Sequence, residues 1–217
     1  MPSFDRRARI TFAVALSCPI VVGFCIAFVD RGASSLAHAD FNGHDAVFRA
    51  LTHMVDPLLP LAALGLAGSA FAGLLGWRPG RVGHLFIACC LAVLVSAAVK
   101  DQLKYAFGRP WPETWVDDNP SWIKNGAYGF FPFHGCAGWS SFPSGHMTEV
   151  TAPVAVLWAR LPRWRLVLVL PVLLVAVGLF GADYHFVGDM VAGVYLGAAC
   201  GAGILAVMRT PAAAPYA

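Results

Sequence analysis

The sequence predicts an all-α fold: a bundle of six transmembrane helices with one long extracytoplasmic loop. Three observations lead there. Of the 217 residues, 58% are hydrophobic and only 12% charged, against about 25% charged in a typical soluble domain. A water-soluble chain with that balance would expose too much apolar surface, so its natural solvent is a bilayer. Apolar stretches of a length suited to one crossing, about 20 residues, recur along the chain. The cations between them are denser in every second turn, as they are when one side of the membrane is the cytoplasm.

The elements follow in order. Arg6, Arg7 and Arg9 precede a first crossing at residues 10–29. Ala37-His38-Ala39 has the look of a signal-peptidase site. It lies well past the end of an apolar run that is long for a signal peptide, so the helix is expected to be retained. Residues 30–56 are polar, with a partly amphipathic patch at 46–51 suited to the membrane surface. The second crossing is 57–77, and Arg78-Pro79-Gly80-Arg81 is a short basic turn. The third, 84–99, ends in Lys100, Asp101 and Lys104; His84 reads as an interfacial or packed histidine. Residues 105–144 form a loop too long for a plain connector, rich in Trp, Phe, Pro and Gly as a lipid-facing or substrate-covering loop would be. A short apolar helix at 147–161 is the fourth crossing, followed by the basic turn Arg160 to Arg165. The fifth crossing is 166–182 and the sixth 187–208, before Arg209 and a tail rich in Ala and Pro. No repeat and no second domain is evident, so 1–217 reads as one domain.

Charge sets the orientation. Six crossings put both termini on one side with Arg6, Arg7, Arg9, Arg78, Arg81, Arg160, Arg163, Arg165 and Arg209. The other side holds Arg31, Arg49, Lys100, Lys104, Arg109 and Lys124. The bias places the termini in the cytoplasm. The long loop, His146 and His185 then face outward. The net charge of +3 is too small to suggest a nucleic-acid partner. Cys18, Cys25, Cys89, Cys90 and Cys200 lie in apolar segments and Cys136 in the loop; their spacing predicts neither a disulfide framework nor a zinc site.

Three polar clusters share the outer face. Lys100, Lys104 and Arg109 are cations at a membrane boundary, able to bind phosphate or to act as snorkelling anchors. Ser141-Phe142-Pro143-Ser144-Gly145-His146 opens an apolar helix. Pro143 suits a helix start, Ser144 can cap it, and Gly145 lets backbone N–H groups approach a ligand. A helix N-terminus attracts anions, and His146 stands beside it as a possible proton donor. In the third cluster His185 and Asp189 are four apart, on one face of a helix. A carboxylate on one imidazole nitrogen fixes the tautomer and frees the other nitrogen to attack. It can equally be a polar pair closing a helix start. Together the clusters hold the equipment for phosphoryl transfer through a phosphohistidine.

The order Lys…Arg-Pro, then Pro143-Ser144-Gly145-His146, then His185-x-x-x-Asp189 resembles the type 2 phosphatidic acid phosphatase superfamily, membrane lipid phosphatases related to vanadium haloperoxidases. The likeness covers roughly residues 100–193. It implies that His185 attacks phosphorus, Asp189 orients it, and His146 protonates the leaving group. Ser144 and the Gly145 amide would hold equatorial oxygens, with Lys104 and Arg109 as substrate-binding cations. It implies no metal and no cofactor, and a phosphorylated lipid as partner within a bacterial inner membrane, the site on the periplasmic face.

Two family cations are absent. The first motif is Lys, six residues, then Arg-Pro. Counting from Lys104 puts Trp111-Pro112 at the Arg-Pro place; counting back from Arg109-Pro110 puts Gln102 at the Lys place. The third motif's Ser-Arg reads Gly178-Leu179. Arg109 swinging in, with help from Lys100 or Lys124, is the expected substitute. Glu149, one turn after His146, is expected to pair with such a cation, to act on a water, or to sit at the rim. The leading reading is a lipid phosphate phosphatase acting on a phosphomonoester or pyrophosphate. A phosphotransferase using the same intermediate, and a non-catalytic lipid-binding or transport protein, remain open beside it. A haem or ion carrier does not fit, because His146 and His185 lie at crossing ends.

Overall fold

In lipid every backbone N–H and C=O must find its partner within the chain, so long apolar runs coil into helices. The computed structural model describes residues 6–41, 45–115 and 118–208. Helix α1 (Arg6–Phe24) passes through a π-helical turn, Cys25–Val29, into α2 (Asp30–Phe41). Then come α3 (Asp45–His53), α4 (Leu58–Leu74), α5 (Arg81–Phe107), the short α6 (Trp122–Asn125), α7 (Gly145–Arg160), α8 (Arg165–Gly181) and α9 (Val187–Val207). Among the described residues there is no strand, only two isolated bridges that pin the long loop, Arg109 to Ser140 and Trp111 to Ser121.

Among the described residues five stretches are long and apolar enough to cross a membrane: Ala13–Phe41, Ala46–Leu74, Arg81–Phe107, Pro162–Gly181 and Val187–Val207. The remaining predicted crossing is α7. At 16 residues it is about 24 Å long, short of a full crossing. It can be short because it is enclosed by protein. Gly145, Met147, Thr148, Val150, Thr151, Ala152 and Val156 are all buried.

A glycine stripe explains how α7 is held. Gly193, Gly197 and Gly201 recur every four residues along α9. A methyl group on Gly193 would stand 2.7 Å from the Ser144 carbonyl, on Gly197 2.5 Å from that of Thr148, and on Gly201 2.5 Å from that of Ala152. Contacts advance together along both helices, so α7 and α9 run parallel, backbone against backbone. Small residues at such spacing do this work where lipid offers no hydrophobic driving force.

The first predicted loop is different. Asp30 does not end the first helix, which continues to Phe41. Asp30, Ser34 and Ala37 recur at helical spacing and are buried, so the polar residues that look like a boundary form an inward face. The patch at 46–51 is helical, within α3, and lies on α8 rather than alone on the membrane surface; Gly178 and Gly181 leave room for Phe48 and Leu51. The third predicted crossing runs on as helix through Lys100 and Lys104 to Phe107, where Gly108 in the left-handed region ends it. Arg209 and the Ala/Pro-rich tail fall outside the described residues.

Candidate active site

The C-terminal end of α5 and the N-terminal ends of α7 and α9 meet at one end of the bundle, and the three sequence clusters meet with them. At the centre is His185, 4% exposed, just before α9. Asp189 follows in the first turn of α9 and is fully buried. Its Oδ2 accepts the backbone N–H of Phe186 at 3.2 Å, half of a capping box. The His185 Nδ1 lies 3.6 Å from Asp189 Oδ2, beyond hydrogen-bond length. Ser141 stands beside both: its Oγ donates to Asp189 Oδ2 at 2.6 Å and lies 3.4 Å from His185 Nδ1.

Arg109, expected to swing toward substrate, is fully buried against two carboxylates. Its Nη1 donates to Asp189 Oδ1 at 2.5 Å and its Nη2 to Asp30 Oδ2 at 2.8 Å. The rings of Phe186, Tyr128 and Phe130 lie 4.5–5.2 Å from the guanidinium carbon. Asp30, brought in by the first helix, accepts the Gly188 N–H at 2.7 Å. A buried guanidinium between two carboxylates has no reason to leave. Removing one partner from such a group costs about 3–5 kcal/mol. Burial lowers the Arg109 pKa, but Asp189 and Asp30 outweigh it and hold the group above its ordinary value. The Tyr128 hydroxyl, pushed up to about 12 by burial, stays protonated and donates to the Ile26 carbonyl at 2.6 Å.

The anion-binding half lies at the start of α7. Ser144 is the N-cap residue, but its side chain makes no capping bond. Its Oγ is buried and has no hydrogen-bond partner. Its N–H is taken by the Asp189 carbonyl at 3.0 Å, which ties the two helix starts together. The Lys104 ammonium lies 3.6 Å from where a methyl group on Gly145 would stand, so glycine there keeps the cation and the helix N-terminus in one space. Lys104 therefore faces the start of α7, while Gln102 is exposed. The Trp111 ring lies 5.0 Å from the His185 ring and 5.7 Å from the Lys104 ammonium. Leu179, at the second absent arginine, is sealed in an apolar cluster with Val55, Met147, Val150, Val175 and Met190.

The other suggested cations are engaged. Lys100 pairs with Asp101 at 2.8 Å and Glu149 at 3.3 Å, and Lys124 pairs with Asp118. Among the described residues Lys104 pairs with no carboxylate, which leaves it for an incoming anion. His146 Nε2 lies 3.4 Å from Asp56 Oδ1, and Asp56 Oδ2 lies 2.7 Å from Nδ1 of the exposed His53. Burial pushes the His185 imidazole below its ordinary value, although Asp189 pulls the other way, so the ring is neutral and able to attack.

Comparison with known proteins agrees with this geometry. The PAP2 superfamily profile matches residues 85–212, more than half of the sequence and all three clusters. The chain belongs to the PAP2 superfamily. Lipid A 1-phosphatases are similar to this PAP2 chain. The one from Rhizobium etli is 31% identical over 105 residues, 48% of this chain and 42% of its own length. That from Rhizobium johnstonii is 31% identical over 106 residues, 49% and 41%. The match thus spans about two-fifths of these relatives. A PAP2-type phosphatidylglycerolphosphate phosphatase from Bacillus subtilis shares the fold, with TM-score 0.57 and 19% identity over 90% of this chain and 94% of that one.

Sequence reasoning missed three residues that the structure brings to this candidate site. Asp30 looks like a membrane boundary because it is the first charge after a long apolar run. Asp56 lies in a turn far from the motifs. Ser141 sits inside the motif stretch, but nothing in its type distinguishes it from a loop serine. The only sequence signal for Asp30 is its spacing with Ser34 and Ala37.

Proposed function

We propose that this PAP2 protein is a lipid phosphate phosphatase working through a phosphohistidine at the outer face of the membrane. One observation carries the reading: a buried neutral histidine faces a helix N-terminus that holds an unpartnered serine hydroxyl and an unpaired lysine. These are a nucleophile and an anion cradle in one space. The similarity to lipid A 1-phosphatases supports a phosphate carried on a lipid.

The substrate phosphate sits between His185 Nε2 and the start of α7. Lys104, the Ser144 hydroxyl and the first-turn N–H groups of α7, unpaired as at any helix start, hold its non-bridging oxygens. The Nε2 lone pair forms the N–P bond, and the P–O bond to the lipid breaks. The leaving oxygen takes its proton from His146, whose Nε2 stands 3.4 Å from Asp56 Oδ1. Water then attacks the phosphohistidine and gives a proton to His146; the P–N bond breaks and phosphate leaves. The charge the reaction needs comes from Lys104 and the helix, so the chemistry is metal-independent.

Phosphate release from lipid phosphates in detergent micelles tests this, wild type beside His185→Ala. The variant is expected to keep its fold and lose release entirely, and a chelator is expected to leave wild-type turnover intact. Full activity in His185→Ala would sink the proposal.

A further inference from the structure

We propose that Ser141 is a positioning residue for His185: its hydroxyl accepts a hydrogen bond from the Nδ1–H and, through its own bond to Asp189, ties the imidazole to the carboxylate. This rests on the reading of His185 as nucleophile. The argument is one of donors and acceptors. Ser141 is fully buried and has a single hydroxyl proton. The 2.6 Å contact to Asp189 Oδ2 uses that proton, since an ionised carboxylate only accepts. Towards His185 Nδ1, 3.4 Å away, the hydroxyl then offers only lone pairs. Nδ1 must therefore carry the hydrogen, and Nε2 is left bare. Asp189 Oδ2 itself lies 3.6 Å from Nδ1, farther than the serine oxygen.

The serine is itself fixed. Its backbone N–H donates to the Arg109 carbonyl at 3.1 Å, and Arg109 holds the other oxygen of Asp189. Its place three residues before Ser144 links the orienting side of the nucleophile to the phosphate cradle through one short stretch of chain. Attack by Nε2 leaves the ring positively charged with its hydrogen on Nδ1. That hydrogen already points at an oxygen whose own proton is committed to a carboxylate, so no group has to reorganise.

The test combines kinetics with a direct view of the imidazole, in the full chain in detergent. Ser141→Ala is expected to lower kcat about tenfold or more, the effect of one lost orienting hydrogen bond, with KM within about twofold. Ser141→Thr, which keeps the hydroxyl, is expected to recover most of the loss. Nitrogen-15 histidine NMR, with the His185 signal identified by its loss in His185→Ala, is expected to show hydrogen on Nδ1 in wild type and a mixture of tautomers in Ser141→Ala. If Ser141→Ala does not survive purification, Ser141→Cys, of similar shape and a far weaker donor, carries the same expectations. Unchanged kcat overturns the proposal, and so does a lower kcat with the tautomer unchanged, which would mark a merely structural role. If His185→Ala keeps wild-type turnover, the nucleophile assignment fails, while the tautomer measurement still decides what holds Nδ1.

Discussion

The chemistry turns on how one imidazole is kept neutral. Burial depresses the His185 pKa from about 6.5 while the nearby carboxylate opposes it. The sign follows directly. On the proposed mechanism only the neutral ring attacks, so activity is expected to be lost as pH falls through the His185 pKa. A depressed pKa moves that loss below the usual histidine range. The acid limb of kcat/KM is therefore expected below pH ~6.5. In Asp189→Asn the opposing carboxylate is gone, so the limb moves further down, while kcat falls on the order of 10²-fold as the ring loses its orientation. An acid limb moving upward in that variant would contradict the assignment. His146, Ser144, His185 and Asp189 could be placed near one another from sequence because each sits at or just before a helix start that the apolar runs delimit. Arg109 could not be placed the same way. Its residue type says phosphate ligand or ion pair equally well, and the choice depended on Asp30, 79 positions earlier in the chain.

At the scale of elements, the site exists because α5, α7 and α9 end at one level. The parallel pair α7 and α9 sets that level through the stripe Gly193, Gly197 and Gly201. A side chain at Gly197 must displace the Thr148 carbonyl, 2.5 Å from a first methyl group, or push the helices apart. Gly197→Leu is thus expected to destabilise the protein by about 1–3 kcal/mol and to slow turnover by separating Ser144 from Asp189, whose backbones are bonded. Thermal unfolding in detergent and phosphate release check the two halves. Gly203→Leu, with open space around it, is the control expected to do neither. The helices themselves were legible, since apolar length alone fixes them in a bilayer. Their continuation past charges was not. Lys100 to Phe107 stay helical because Gly108 is the first residue able to turn the chain, and Asp30 stays helical because its charge is matched by Arg109 from across the fold.

For the whole molecule, the two ends differ in chemistry. The end with α5's last turn and the starts of α7 and α9 carries the buried His185, Arg109 and Asp189 and the long aromatic loop. The opposite end carries Arg78 and Arg81 before and at the start of α5, Arg160 at the end of α7, Arg163 in the turn and Arg165 at the start of α8, all exposed. Cations in short turns are retained on the cytoplasmic side. We infer that the site end faces outward and that α7, though short, completes a sixth passage that returns the chain to the cytoplasm. The loop carries its own reporter, because Cys136 is exposed and the remaining cysteines lie within helices. A membrane-impermeant thiol reagent is therefore expected to label wild type in intact cells and to miss Cys136→Ser. Placed in the Cys136→Ser background, Arg163→Cys is expected to label only after the membrane is permeabilised. If α7 fails to cross, the chain turns back on the outer side, and Arg163→Cys labels in intact cells as readily as Cys136.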